Sequence, residues 1–456
     1  MAEMTEELKR RILAESPAER QERLARAAAD PNRPLYHYLP PPSWMNDPNG
    51  PIHWKGVYHM FFQWNRDLPW WGNIQWGHAS SEDLVHWTTL PLAIEPTPGG
   101  PDAGGCFSGS MVDHDGVPTM VYTGVSPEVQ CLATGDDGLI RWTKHPANPV
   151  IAAPPDGVTV TGFRDPCPWR EGDTWYVLIG SGFKDVGGTS LLYRSNDLVR
   201  WEYLHPFYEP DAARPMHECP DFFPLGDKHA LLTSWTGMHV EVGTYADLRF
   251  TPESHTRLDW GNYYAAKSLA DANGRRIVWG WVTEGRSVEE QIRAGWSGVL
   301  SLPRVLTLGE DGGLRQAFAP ELASLRDRGW GFSNLRVPSD GVKTLDRVAG
   351  DGVEIQATFS ANRATRFGLR VQDDLEIAYD REKGEIVGAP LTLGDGESLT
   401  LHIYVDRSVT EFIAGGRVAK TLRCYRNGFD GLRLSLFSEG GETVAESLTV
   451  WRLRSI

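Results

Sequence analysis

Nowhere in its 456 residues does the chain hold an uninterrupted apolar run of the ~18 residues that a membrane-spanning helix needs. Cysteine is scarce. Cys106, Cys131, Cys167, Cys219 and Cys424 are odd in number, scattered and free of CxxC spacing, which argues against a disulfide framework or a zinc site and fits a reducing compartment. Positive charge is in deficit, with 45 Lys+Arg against 60 Asp+Glu and a net −15, so nucleic acid and an anionic membrane surface are excluded as partners. There is no HExxH, no histidine pair at ligand spacing, no EF-hand loop, no GxSxG elbow and no P-loop, and hence no metal or phosphate-cradle expectation. The start, MAEMTEELKRRILAE, has no apolar core of the kind a secretory signal carries. The expectation is a soluble cytoplasmic protein, and 41% hydrophobic with 23% charged residues is ordinary globular composition.

Helical periodicity is confined to the beginning. Ser16-Pro17-Ala18-Glu19 is a capping box with Pro at the first helical position, and Asp30-Pro31 is a stop. Residues 1–34 read as a polar helical arm with a thin apolar stripe, one that lies on the main domain or joins copies into a homo-oligomer. Residues 35–318 contain a repeat. A turn glycine before an apolar strand recurs at Gly56, Gly116, Gly172, Gly226 and Gly274, in steps of 60, 56, 54 and 48 residues. In step with it, Asp83-Leu84-Val85-His86-Trp87 resembles Asp197-Leu198-Val199-Arg200-Trp201, with looser copies at Asp137…Trp142 and Asp247…Phe250. Units of this length suit four-stranded blades, and five of them predict a five-bladed β-propeller. A linker with a short helix is expected at 319–335. Over 336–456 tryptophan nearly vanishes and alternation takes over, as in Leu399, Leu401, Ile403 and Val405, which predicts an antiparallel β-sandwich.

The repeat also predicts a site. About seven to ten residues before each turn glycine stand Asp47, Ser108, Asp165, Glu218 and Tyr264. Three are carboxylates beside or near proline. One Asp-Pro is a turn, but three at equal phase in a radial repeat converge on one axis. Converging buried carboxylates repel and raise at least one pKa. Two carboxyls with separated pKa values are what glycoside hydrolysis uses. Tryptophan is abundant, 18 in all and 16 of them before residue 300; some belong to the core, and the rest offer flat faces for sugar rings.

These residues resemble a known family. Trp44-Met45-Asn46-Asp47-Pro48-Asn49-Gly50, Phe163-Arg164-Asp165-Pro166 and Glu218-Cys219-Pro220 are similar to the three signature motifs of glycoside hydrolase family 32. That family includes invertases, sucrose-6-phosphate hydrolases, fructan hydrolases and fructosyltransferases. Ser301-Leu302-Pro303-Arg304 and Tyr404-Val405-Asp406-Arg407-Ser408…Glu411 match it further along. The resemblance implies the propeller-plus-sandwich fold and a retaining β-fructofuranosidase without cofactor, acting on a small sugar. Asp47 would be the nucleophile, Glu218 the acid/base and Asp165 the transition-state partner. Asn46, Gln63, Trp71, Phe107, Ser108, Arg164, Asp259, Tyr264 and Trp281 would bind substrate. Retention implies carboxyls ~5–5.5 Å apart. A fructosyltransferase is the alternative, since water and a sugar hydroxyl compete for one intermediate. Two departures stand out: His217 where many members have Trp, and Asn262 where sucrose-preferring members often have Lys. His217, Lys267 and Arg286 are the cations that a phosphorylated substrate would call on.

Overall fold

The computed structural model describes residues 2–346, 348–361, 363–372, 375–426 and 432–456. Two helices, α1 (Ala2–Leu13) and α2 (Pro17–Ala28), open the chain, and Ser16 caps the second through the expected box with Glu19. Among the described residues the regular elements after them are β-strands, apart from α3 (Val288–Ala294) and one 3-10 turn, Pro320–Leu325.

Five antiparallel sheets follow one another between Trp44 and Phe318, four of them four-stranded and the fifth five-stranded. Each opens with a hairpin whose turn is one of the five glycine turns, as between Trp54 and Val57 or Ala270 and Arg276. The second sequence repeat has a physical cause. Leu84, Leu139 and Leu198 lie at left-handed φ of 66°, 57° and 61°. Their carbonyls accept the indole N–H of Trp87, Trp142 and Trp201 at 3.0, 3.0 and 2.7 Å. The indole satisfies a carbonyl that the turn removes from the ladder. The first strands of the sheets, Trp44–Trp54, Gly105–His114, Val160–Glu171, Glu218–Leu225 and Tyr263–Ala270, abut in that order, and the last returns to touch the first.

Two six-stranded sheets make the C-terminal part. Leu399, Leu401, Ile403 and Val405 of one sheet and Leu434 and Leu436 of the other fall in one core, as the alternation predicts. One boundary needs correction: residues 326–335 are not linker. Arg326–Val337 is a strand paired along Thr443–Leu453, with Trp330 opposite Val450. Its arginines hide the pattern, while Trp330, Phe332 and Leu335 pack on the core between them.

Candidate active site

Each of the five first strands breaks register at its phase position. The shifts enclose Asn46-Asp47, Ser108, Asp165-Pro166, Cys219-Pro220 and Ala265-Ala266. A β-bulge re-aims the side chains around it, and proline fits there because it has no N–H to leave unpaired. The backbone is strained at three of these bulges, with φ of 64° at Asp165, 48° at Cys219 and 53° at Ala265.

The bulges bring the five predicted residues together. Ser108 Oγ donates to Asp47 Oδ2 at 2.6 Å, and Asn46 Nδ2 donates to Asp47 Oδ1 at 3.1 Å. Gln63 Nε2 lies 2.5 Å from Ser108 Oγ and 3.5 Å from Asp47 Oδ2. Asp165 Oδ2 accepts the Cys219 N–H at 2.8 Å, and the Cys219 thiol lies within 3.5 Å of both Asp47 and Asp165. Glu218 Oε2 accepts from the Tyr264 hydroxyl at 2.5 Å, and its Oε1 is 3.5 Å from Arg164. Around this floor stand aromatic rings. Trp281 faces Tyr264 and Trp44, and Trp71 meets Phe107 edge-on at 5.7 Å. The indole N–H of Trp281 is shielded from solvent and has no hydrogen-bond partner among the described residues.

The electrostatics are those of crowded acids. Burial, with Glu218 and Asp47 adding to it, pushes Asp165 up to about 7 in spite of Arg164. Burial also raises Asp47, while the hydrogen bonds from Ser108 and Asn46 work in the opposite direction. Sequence reasoning missed Glu128, whose carboxylate is 3.0 Å from Arg164 Nε and accepts the Phe163 N–H at 2.6 Å. A lone Glu in a turn gives no periodic signal. Thr123, inside the strand Val117–Val125, accepts the Asp165 N–H at 2.8 Å and was missed because it belongs to no motif.

One predicted residue is not with the others. Asp259 is buried between the two parts of the chain, and its oxygens are taken by Arg304 Nη1 (2.9 Å), by Gly261 N–H (2.7 Å) and by Thr421 through its N–H (3.0 Å) and hydroxyl (2.8 Å). Asp259, expected to bind substrate, is instead paired with Arg304, and no contact ties it to the carboxylate trio among the described residues. The three candidate phosphate cations are also committed elsewhere. His217 is buried against Tyr208, and burial together with Arg214 pulls it down to about 3, so its ring is neutral. Lys267 is buried and donates to the Pro220 carbonyl at 2.7 Å. Arg286 pairs with Glu284 at 2.9 Å and stacks on Trp296.

The chain has counterparts among known proteins. Residues 37–317 match the glycosyl hydrolases family 32 N-terminal domain, and 321–452 the family 32 C-terminal domain. The chain is 34% identical to the sucrose-6-phosphate hydrolase of Escherichia coli, over 92% of this chain and 94% of that one. It superposes on fructan 1-exohydrolase IIa of Cichorium intybus, solved in complex with 1-kestose, with TM-score 0.83 and 28% identity, covering 93% and 98% of the two chains. It also superposes on a β-fructofuranosidase of Bombyx mori solved with sucrose, with TM-score 0.78 and 27% identity over 97% and 99%.

Proposed function

The chain belongs to glycosyl hydrolases family 32 and is a glycoside hydrolase, and from that premise we propose a retaining β-fructofuranosidase that releases terminal fructose from sucrose, sucrose 6-phosphate or short fructans. The observation that carries the reading is the convergence of Asp47, Asp165 and Glu218 around Cys219 on neighbouring bulges. The five sheets, whose first strands close on themselves, are read as five blades around this site. The relatives named above act on or bind sucrose 6-phosphate, 1-kestose and sucrose, which supports the substrate class.

In this mechanism an oxygen of ionised Asp47 attacks the anomeric C2 of fructose. Glu218 donates its proton to the departing glycosidic oxygen, and a fructosyl ester on Asp47 results. Water then attacks C2 while Glu218 takes its proton, and Asp47 leaves as carboxylate. Ser108 and Asn46 stabilise the charged form of Asp47 that attack needs. Tyr264 and Arg164 hold the two oxygens of Glu218 in place. Asp165 accepts from fructose hydroxyls as charge develops on the ring, an electrostatic contribution that strengthens in the transition state.

The test is release of free glucose and free fructose from sucrose, with Asp47→Asn as the blank. Equal release supports hydrolysis. Glucose in clear excess assigns the intermediate to a sugar acceptor and makes the chain a transferase. With neither sugar released, sucrose is not the substrate, and sucrose 6-phosphate and 1-kestose are assayed in turn; inactivity on all three overturns the reading.

A further inference from the structure

Two of the places where the N-terminal arm touches the molecule are of unlike character. At one it is anchored. Ala27 is buried in a cluster with Trp296, Val282 and Val299, Trp296 Nε1 donates to Asp30 at 2.8 Å, and Arg33 stacks over the same indole. Within the arm, buried Arg23 pairs with Glu15 at 2.9 Å. At the other place it reaches residues 66–74, the loop between the strands Val57–Asn65 and Gln75–Ser81. Arg20 forms an ion pair with the Asp67 carboxylate, Arg23 Nη2 donates to the Asp67 carbonyl at 3.4 Å, and Lys9 Nζ stands 5.9 Å from the ring centre of Trp70.

That loop carries Trp71, which is 55% exposed and whose one aromatic neighbour among the described residues is Phe107. Phe107 precedes Ser108, the donor to Asp47. The base of the loop is tied from inside. Asn65 accepts the Asp67 and Leu68 N–H groups at 3.3 and 3.2 Å and donates to the Trp70 carbonyl at 3.1 Å, while the Trp44 N–H reaches Leu68 at 3.1 Å. Beyond this base the tip runs through Gly72 and Asn73 at φ of 140° and 47°. The outer face of the loop, at Asp67 and Trp70, is where the arm applies three cations, one of which, Arg23, donates to the Asp67 carbonyl.

We propose that the helical arm is a brace that fixes Trp71 at the rim of the sugar pocket, so that Arg20 and Lys9 act as positioning residues for substrate from outside the catalytic sheets. The inference rests on the pocket assignment made above. An exposed aromatic wall gains affinity when it is ordered before the sugar arrives, because the cost of immobilising it is not charged to binding. Contact with a flat sugar face is the same in ground and transition state, so loosening the wall raises KM and leaves kcat unchanged.

The experiment compares wild type, Arg20→Lys, Arg20→Glu and Arg20→Glu with Asp67→Arg on whichever of sucrose, sucrose 6-phosphate and 1-kestose is turned over. Amide hydrogen exchange of residues 66–74 is followed in parallel. Arg20 is at the surface, so all four fold, which the melting temperature checks. A charge reversal there opposes an ion pair and strains its neighbours, and the expected effect is a KM about three- to tenfold higher with kcat within about twofold. Exchange of the loop should quicken, Arg20→Lys should keep both properties, and the double reversal should recover them. Wild-type KM and wild-type exchange in Arg20→Glu overturn the brace, as does a fall in kcat at constant KM. Should no fructoside be hydrolysed, the functional reading falls, and the exchange rate of the loop alone decides the brace.

Discussion

Two clusters of acids, one half-buried and one wholly buried, are built on opposite principles. At the convergence of the first strands, Asp47, Asp165 and Glu218 crowd together with Arg164 as their neighbouring cation, the backbone is strained at Asp165 and Cys219, and burial drives Asp165 up to about 7. Between the two parts of the chain, His37, Asp259, Arg304, Asp406 and Glu411 are all buried and all paired. His37 bridges Asp406 and Glu411 at 2.8 and 3.0 Å, and Arg304 bridges Glu411 and Asp259 at 2.5 and 2.9 Å. Burial would raise the Glu411 acid, but Arg304 and His37 outweigh it and hold it down at about 2. Burial would likewise neutralise His37, yet the two carboxylates keep it up at about 9. The difference separates chemistry from construction. An acid whose charge is opposed by its surroundings marks a site of chemistry; one whose charge is met by fixed partners is a fastening.

The same substitution should therefore have opposite consequences in the two places. Asp47→Asn removes the attacking oxygen, and kcat/KM should fall by at least about 10⁴-fold with melting temperature unchanged or higher. Glu411→Gln should leave kcat near wild type once folded. Activity retained by the first, or lost by the second in folded protein, would break the contrast at its root.

In stability the order reverses. Truncating one partner of a buried ion-paired network leaves charges unmet, so Glu411→Gln should cost about 3–5 kcal/mol, measured by denaturant unfolding. A loss below about 1 kcal/mol would show that the network is dispensable.

The two clusters should also respond to pH with opposite sign. The folded pKa of Asp165 lies above its unfolded value, so its contribution to stability is present below about pH 4 and lost as pH rises through about 7. Asp165→Asn removes that loss. The variant should be more stable than wild type at pH 8, by up to about 4 kcal/mol, with no gain near pH 4. Glu411 is held below its unfolded value, so its contribution is present at neutral pH and lost as pH falls through about 2. Equal shifts of Asp165→Asn across the range would show that the acid is not opposed as described.

The sequence reveals the first cluster far better than the second. The five-fold phase of the turn glycines leads to Asp47, Ser108, Asp165, Glu218 and Tyr264, and the hydrogen bonds Ser108–Asp47 and Tyr264–Glu218 join members of that set. The signal is legible because one mechanical device, a bulge next to proline, repeats at a fixed spacing. The network between the parts has no such period. His37, Arg304 and Glu411 each stand more than a hundred residues from the next, and Asp259 reads as a substrate ligand until Arg304 is found beside it. Motifs around Arg304, Asp406 and Glu411 mark the family, yet what they do there is clamp two domains. The strand Arg326–Val337 was hidden for a related reason: its outward arginines mask the alternation.

The smallest effect sharpens the contrast most finely, because it lies within the frustrated cluster. Ser108 Oγ donates to Asp47 at 2.6 Å and has Gln63 Nε2 2.5 Å away. It is the strongest of the contacts that lower the acid's pKa against burial. Ser108→Ala deletes a hydrogen bond to the charged form, so the pKa of Asp47 rises and a larger fraction of enzyme is protonated, and inactive as nucleophile, on the acidic side. The acid limb of the kcat/KM profile should move to higher pH by about 0.5–1 unit, while the plateau falls only modestly because Asn46 still holds the other oxygen. The parallel change on the fastening side, Thr421→Val, removes a hydroxyl that donates to Asp259 and should leave the profile where it is. If the limb moved in Thr421→Val, or stayed fixed in Ser108→Ala, the boundary between the two kinds of buried acid would have been drawn in the wrong place.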